Sequence, residues 1–82
     1  MARKKTALEY TVLLHWDAEY NGYWVEVPTL PGCVSQGKTK EEALVNAKEA
    51  IELHLDGMRE DGEEIPVEES SKVVIRLESL TV

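Results

Sequence analysis

Few side chains in this sequence are of the types that carry out nucleophilic or metal chemistry. Its 82 residues include one cysteine, Cys33, and two histidines, His15 and His54. A cysteine nucleophile needs an activating group beside it, and nothing near Cys33 in the sequence supplies one. Two histidines from distant segments make a poor zinc site without further ligands. We therefore expect Cys33 to be a small, partly buried structural residue, and we predict no metal site and no cofactor.

Carboxylates are abundant, but their spacing does not match the pattern that metal-dependent phosphodiester cleavage requires. Such cleavage needs several carboxylates that converge on two metal ions about 4 Å apart. The strand-like segments contain only the scattered acids Glu9, Asp17, Glu26 and Glu78. Two further acids open a helix, where the positive end of the helix dipole accounts for them. We expect no catalytic residues and no enzymatic activity; a metal-dependent nuclease is the least supported alternative.

The charge balance indicates which partners suit the chain. Sixteen acidic residues against nine basic ones give a formal net charge of -7. Three of the nine cations lie in the first five residues, and without them 6 basic residues face 16 acidic ones, a net charge of -10. Direct nucleic-acid binding needs a basic surface, so we do not expect it. A basic protein is the partner that this charge favours, and the run Asp56 to Glu69 is either a solvated loop or a segment that steers such a partner.

Length and composition favour one small domain that gains from association. A chain of this size hides only about 60% of its unfolded surface, so we expect a homo-oligomer, either a dimer or a tetramer. No apolar run approaches the roughly 20 residues that span a bilayer, and no signal-peptide segment comes after the first residues. We expect a flexible basic tail over residues 1–7, a single domain over residues 8–82, and a cytoplasmic location, which a single cysteine also fits.

Alternating apolar residues predict a β-hairpin at the start of this domain. The first strand is expected from Leu8 to Trp16, and the second from Tyr23 to Val27, with Asn21-Gly22 in the turn between them. Pro28 ends the second strand because it has no N–H to donate. A short third strand is expected from residues 33 to 36, after a bend in which Gly32 adopts a positive φ.

One helix and a last strand complete the predicted order. Thr39 and Glu42 form a capping box, and Asp61-Gly62 ends the helix after Glu60. The apolar stripe of this helix comprises Ala43, Leu44, Ala47, Ile51, Leu55 and Met58, with Leu53 on the opposite side and His54 at the border. After an acidic linker, residues 72–80 are predicted to form the final strand. The order β-β-β-α-β predicts an α+β fold, a mixed four-stranded sheet with one helix on one face.

The second face of this sheet has no helix to cover it. We expect it to carry some of the residues Trp16, Trp24, Leu13 and Val25, and we expect His15 to lie on one of the two sheet faces. An exposed apolar face of this kind favours self-association.

The bend and the helix start together carry a family resemblance. The motif residues are Pro28, Leu30, Pro31, Gly32, Cys33, Gly37, Thr39, Glu42 and Ala43. Their combination and spacing resemble the HicB antitoxin family over about residues 10 to 80, and Pro66 is consistent with it. The resemblance implies a partial ribonuclease H-like fold and a role in a type II toxin–antitoxin pair. In such pairs the antitoxin binds a small basic HicA-type toxin, which cleaves messenger RNA, and blocks its catalytic histidine.

The residues and the resemblance support two hypotheses about function. The first is an antitoxin that neutralises such a toxin by covering its active site, and the second is a stand-alone interaction or scaffold module without a toxin. Many family members continue into a DNA-binding domain, whereas this sequence stops at Val82, so we do not expect operator binding. Large aromatics lead interface hot spots, although core or dimer packing also explains them. The predicted partner or oligomer contacts are Trp16, Tyr20, Tyr23, Trp24, Glu26, Pro31 and Leu53.

Overall fold

The computed structural model describes residues 8–68 and Ile75. In chain order the described residues form β1 (Leu13–Asp17), β2 (Gly22–Glu26), β3 (Val34–Gly37) and α1 (Lys40–Glu60). The strands make one antiparallel sheet in the order β1-β2-β3, and α1 packs against one of its faces. The α+β class and the order of these four elements are confirmed. The predicted tail over residues 1–7 and, apart from Ile75, the predicted strand over residues 72–80 lie outside the described residues, so the fourth strand stays a prediction.

The hairpin forms where turn chemistry and strand alternation coincide. β1 pairs with β2 from Leu13 opposite Glu26 to Asp17 opposite Gly22. Asn21 adopts a left-handed conformation with φ 56° in the connecting turn, as the Asn-Gly pair predicts. The Asp17 carboxylate accepts hydrogen bonds from the backbone N–H groups of Glu19 at 3.0 Å and Tyr20 at 3.2 Å, which holds the turn.

The prediction that the first strand begins at Leu8 is wrong, because β1 begins at Leu13. A strand needs a partner along its whole length, and the last residue of β2, Glu26, lies opposite Leu13. Beyond it, Pro28 and the bend take the chain away, so residues 8–12 have no partner from β2. The other two strands also differ by one residue at each end from the predicted ranges, since β2 is Gly22–Glu26 and β3 is Val34–Gly37.

Both ends of α1 have the predicted caps, with one difference. The Thr39 hydroxyl accepts a hydrogen bond from the Glu42 N–H at 3.0 Å. The Glu42 carboxylate accepts from the N–H of Lys38 at 3.2 Å and not from that of Thr39, so the capping box closes one residue earlier than expected. At the other end Gly62 has φ 71°. Its N–H donates to the Arg59 carbonyl, and the next N–H donates to the Met58 carbonyl, which is the Schellman arrangement.

The bend between β2 and β3 is a closed loop whose apolar side chains enter the core. The Leu30 N–H donates to the Val27 carbonyl and the Cys33 N–H donates to the Leu30 carbonyl, both at 2.9 Å. The Val27 N–H in turn donates to the Cys33 carbonyl at 3.1 Å. Gly32 has φ 84°, as predicted, and the Leu30 side chain is fully buried. The central residues of the motif therefore build the fold.

The core lies between α1 and the sheet face that it covers. Its buried side chains are Val25, Val27, Leu30, Cys33, Ala43, Ala47 and Leu55. Gly37 at the end of β3 and Ala43 on α1 let the helix approach the sheet closely: a Cβ built on Gly37 would lie 2.7 Å from the Cα of Ala43. No polar or charged side chain of the described residues is buried.

Candidate functional site

Within residues 8–68 no helix covers one face of the sheet, and we call this face the outer face. The strand register places two rows of side chains there, one containing Leu13, Glu26 and Val34 and the other His15, Trp24 and Gln36. Leu13 and Trp24 are thus on the face where they were expected. Of the four residues from which this face was expected to draw, Trp16 and Val25 are not on it, because the alternation along β1 and β2 turns both toward the helix side. Val25 is fully buried there.

The outer face has an ordered polar and aromatic centre. The His15 and Trp24 rings, opposite each other on β1 and β2, stack with their centroids 4.3 Å apart and an interplanar angle of 21°. His15 Nε2 lies 3.0 Å from Glu26 Oε1, a hydrogen bond that fixes the imidazole over the indole. Cross-strand pairs of this kind stabilise a sheet by about 0.2–1 kcal/mol. The outer face therefore presents an aromatic surface with a carboxylate beside it, partly open to solvent.

One edge of β3 pairs with no other strand of the described residues, and we call it the free edge. It borders a shallow groove that continues the outer face toward α1. The groove has a volume of about 550 Å³. Its lining residues are Trp24, Val34, Ser35, Gln36, Asn46, Glu49, Ala50 and Leu53. The Asn46 side-chain amide donates to the Gln36 carbonyl at 2.8 Å, and Leu53 is 73% exposed at the far wall. Two predicted contact residues, Trp24 and Leu53, are brought together here although they lie 29 positions apart in the sequence.

Backbone groups of β3 also point into this groove. Successive residues of an antiparallel strand direct their N–H and C=O groups to opposite sides. The Cys33 carbonyl accepts from the Val27 N–H and so points toward the β2 side. The N–H and C=O groups of Val34 and Gln36 therefore point to the free edge. There the Gln36 carbonyl accepts from the Asn46 side-chain amide. The remaining groups give the groove donors and acceptors for an incoming chain.

The other aromatic residues of the hairpin belong to a different surface, at its turn. Trp16 and Tyr23 pack edge to face with centroids 5.1 Å apart. The Lys38 ammonium lies 3.7 Å from the centre of the Tyr20 ring and donates to the Tyr20 carbonyl. The Lys40 ammonium lies 5.9 Å from the Tyr23 ring centre. These aromatics pack with each other and with lysines, so their environment and their partners differ from those of the outer-face pair of His15 and Trp24.

Pro31 is exposed on the bend and lines neither groove nor outer face. The predicted contact residues therefore divide into three places: Trp24, Glu26 and Leu53 at the outer face and its groove; Trp16, Tyr20 and Tyr23 at the hairpin turn; and Pro31 on the bend. Whether any of them contacts a partner stays a prediction.

A carboxylate that the sequence did not single out ties the chain after α1 to the start of the sheet. Glu68 accepts hydrogen bonds from the N–H of Thr11 at 2.9 Å, from the hydroxyl of Thr11, and from the hydroxyl of Thr29 at 2.8 Å. Beside these bonds, the Tyr10 hydroxyl donates to the Pro66 carbonyl and joins the same two segments of the chain. These hydrogen bonds hold the pKa of Glu68 below its usual value. The largest effect comes from the Thr11 hydroxyl, followed by the Thr11 N–H and the Thr29 hydroxyl. We call this arrangement the Glu68 clamp.

The groups considered for chemistry take structural positions. Cys33 is buried, as predicted, and burial raises the pKa of its thiol, which lowers the thiolate population that a nucleophile needs. His15 lies on a sheet face, as expected, and that face is the outer one, while His54 is partly buried on α1. Within residues 8–68 and Ile75, no three His, Cys, Asp or Glu side chains lie close enough together to hold a metal ion. Across the same residues, α1 included, no helix has the length and apolar content to cross a bilayer.

The carboxylates form a largely unneutralised surface. Residues 8–68 contain 14 acidic and 4 basic residues, and none of these side chains is buried. Among the described residues, Arg59 with Asp56 at 3.3 Å is the one ion pair between a Lys or Arg and a carboxylate. Four exposed acids, Glu60, Asp61, Glu63 and Glu64, cluster at the C-terminal end of α1. The helix dipole is negative at that end and disfavours acids there, so helix stability does not account for them.

Known proteins share this architecture and much of its sequence. The family model described as "HicB_like antitoxin of bacterial toxin-antitoxin system" matches residues 10–79. The UPF0150 protein Ta0767 of Thermoplasma acidophilum is 42% identical over 69 residues, which cover 83% of this chain and 97% of that protein. Antitoxin HicB 1 of Photorhabdus laumondii is 38% identical over 60 residues, which cover 73% of this chain and 38% of the antitoxin.

A solved structure agrees with these matches. The crystal structure of the N-terminal domain of the Burkholderia pseudomallei antitoxin HicB superposes with a TM-score of 0.63 at 35% sequence identity. The superposition covers 73% of this chain and 69% of that one. Sequence and fold thus agree over the same sheet and helix. The chain belongs to the HicB-like antitoxin family of bacterial toxin–antitoxin systems.

Proposed function

We propose that this protein binds a small, basic, messenger-RNA-cleaving toxin in the cytoplasm and neutralises it by covering its active site. The observation that carries the proposal is the surface charge: residues 8–68 hold 14 acidic and 4 basic residues, all outside the core. A protein that binds RNA is basic where it contacts phosphates. The acidic surface of this chain complements such a partner and competes with RNA for it.

The acids at the end of α1 suit the encounter between the two proteins. These acids interact unfavourably with the helix dipole, and their side chains are exposed. Their main physical effect is therefore the negative electrostatic field that they produce. Such a field speeds the association of a basic protein, and salt screens it with a Debye length of about 10 Å at 0.1 M. The on-rate for the toxin should therefore fall steeply as salt is added.

The outer face is the surface that we assign to the bound toxin. It combines the partly open Trp24 ring, the Glu26 carboxylate and the apolar residues Leu13 and Val34. A central aromatic with polar groups around it is typical of interface hot spots. The free edge of β3 adds backbone groups that pair with an incoming segment.

Co-expression with the neighbouring reading frame tests the proposal. If that frame encodes a small basic protein, we expect the two chains to co-purify and the RNA cleavage by the toxin to stop in the complex. Trp24→Ala should weaken binding by at least about 30-fold, which is the loss typical of a hot spot. Trp16→Ala is the matched control, because Trp16 is exposed but lies on the other side of the sheet.

Two results would contradict the proposal. A complex that forms equally fast at low and high salt excludes electrostatic steering. A basic neighbour that neither binds nor is inhibited excludes the antitoxin function and favours a stand-alone interaction module. The folding of each variant is checked by circular dichroism, so that a loss of binding is not confused with a loss of structure.

A further inference from the structure

The groove beside the free edge of β3 has one wall of strand backbone and one wall of helix, and we call it the β3 groove. The strand wall presents the N–H and C=O groups of Val34 and Gln36, since those of Ser35 point toward β2. The helix wall consists of Asn46, Glu49, Ala50 and Leu53. A strand added to a sheet pairs along its backbone and packs alternate side chains below, so it contacts walls of both kinds.

Both ends of the continuous described range, residues 8–68, lie away from the β3 groove. Leu8 lines a different groove, on the flank of α1 that carries Glu52. Glu68 is bonded to Thr11, which comes just before β1 at the other edge of the sheet. In the part of the chain that the structure describes, the β3 groove is therefore open, and it lies at the edge of the sheet opposite to β1.

The charge at the β3 groove favours a basic occupant. Glu49 is the one charged residue among those that line it. Among the described residues, no Lys, Arg or His lies within ion-pair distance of the Glu49 carboxylate. Glu26, opposite Val34, adds a second carboxylate on the adjoining outer face. The occupant that complements these groups carries a cation next to an apolar side chain, which packs on the exposed Leu53.

The spacing along α1 matches the spacing of alternate residues in a strand. Glu49 and Leu53 are four residues apart, which is about 6 Å along the helix axis. Alternate side chains on one face of a strand are about 6.6 Å apart. A strand on the free edge thus places a cation at Glu49 and an apolar side chain at Leu53 with one residue between them. That intervening residue points to the outer face, the surface assigned above to the toxin.

We propose that the bound toxin adds an extended basic segment to the free edge of β3. A Lys or Arg of this segment pairs with Glu49, and an apolar side chain two residues away packs on Ala50 and Leu53. The inference rests on the proposed function, because it names the part of the same partner that binds beside the outer face. Cations that contact RNA phosphates suit this place, so the segment held here is withheld from RNA.

Charge reversal on the two flanks of α1 tests the assignment in the complex with the toxin. Glu49→Lys should raise the dissociation rate about 30-fold, because it sets two cations against each other at a covered site. Glu52→Lys is the matched control: it makes the same change on the other flank of α1 and should alter mainly the association rate. A Lys→Glu or Arg→Glu change in the toxin segment should rescue Glu49→Lys and leave Glu52→Lys as it was.

A second pair of variants tests the apolar contact. Leu53→Asp should raise the dissociation rate about 10-fold or more, since it removes an apolar side chain from the covered groove. Val45→Asp is its control, because Val45 is 61% exposed on α1 and lines neither groove. Both positions are exposed in the free chain, so these changes leave the fold intact.

Hydrogen exchange followed by NMR distinguishes strand addition from contact through side chains alone. The N–H groups of Val34 and Gln36 should exchange at least about 10-fold more slowly in the complex than in the free chain, because they gain backbone partners. A wild type that neither binds nor inhibits the toxin overturns the proposed function and this inference with it. If the toxin is bound and inhibited, unchanged exchange at these two amides, or equal dissociation rates for Glu49→Lys and Glu52→Lys, overturns strand addition alone.

Discussion

Replacing Gly37 by alanine tests the contact that lets α1 pack against the end of β3. A Cβ at this position would lie 2.7 Å from the Cα of Ala43 and 2.8 Å from the carbonyl carbon of Glu42. Ordinary van der Waals contacts begin at 3.4 Å. The backbone N of Ala43 lies closer still, so the first turn of α1 must move away by more than about 0.7 Å, which is the difference between 3.4 and 2.7 Å. The atoms in the way belong to the backbone, so no side-chain rotation relieves the clash.

That displacement costs stability in two ways. The first turn of α1 is held by the hydrogen bond between Thr39 and Glu42, and Ala43 packs on the fully buried Val25. Overpacking of a core costs about 1–3 kcal/mol, and we expect about 3 kcal/mol here because backbone must shift. The total free energy of unfolding of a chain this size is about 4–12 kcal/mol. Gly37→Ala should therefore lower the melting temperature by about 12–24 °C.

Gly57→Ala is the matched control, because the same chemical change occurs in open space. Gly57 is exposed within α1, and a Cβ there meets no atom within 4 Å. Alanine in a helix is more stable than glycine by about 0.5–1 kcal/mol, so this variant should be more stable than the wild type. Urea unfolding followed by circular dichroism and tryptophan fluorescence, at one protein concentration, measures both variants. A Gly37→Ala variant as stable as the wild type would refute the reasoning.

Two further predictions concern the core and the Glu68 clamp. Leu30→Ala should lower the free energy of unfolding by about 2–5 kcal/mol, because Leu30 is fully buried, whereas Leu53→Ala at an exposed site should change it by less than about 0.5 kcal/mol in the same urea experiment. The hydrogen bonds from Thr11 and Thr29 lower the pKa of Glu68 in the folded chain, so the clamp is fully formed above the usual carboxyl pKa and is lost as the pH falls through the lower folded value. Below about pH 4.5 the wild type should therefore lose more stability than Glu68→Gln. Glu64→Gln is the control and should behave as the wild type. Parallel curves of unfolding free energy against pH for the wild type and Glu68→Gln would contradict the clamp.

Local signals in the sequence were sufficient for the hairpin turn and the helix ends. Asn21, Thr39 and Gly62 each act on neighbours within a few residues, so their backbone roles can be predicted without a structure. The start of β1 could not be predicted in this way. It depends on where β2 ends, because a strand continues only as long as its partner does.

The candidate site was predicted only where it depended on local pattern. Trp24 was expected on the outer face and lies there, but its stacking on His15 depends on the register that the hairpin turn fixes. The partners of Glu68 lie 57 and 39 positions away in sequence, and nothing near this residue separates it from the other acids of the linker. Contacts over such distances depend on the fold as a whole.

The bend between Val27 and Cys33 explains why the family motif and the proposed binding surfaces lie apart. By ending β2 at Glu26, the bend leaves residues 8–12 without a partner from that strand, and Leu8, Tyr10 and Val12 form one wall of a groove beside α1. The bend also supplies Thr29 to the Glu68 clamp. The motif thus builds the frame of the groove, whereas the outer face is formed by other positions of the strands, such as His15 and Trp24. Similarity in the motif therefore indicates a shared architecture, whereas the contacts that we propose for a toxin lie on the outer face.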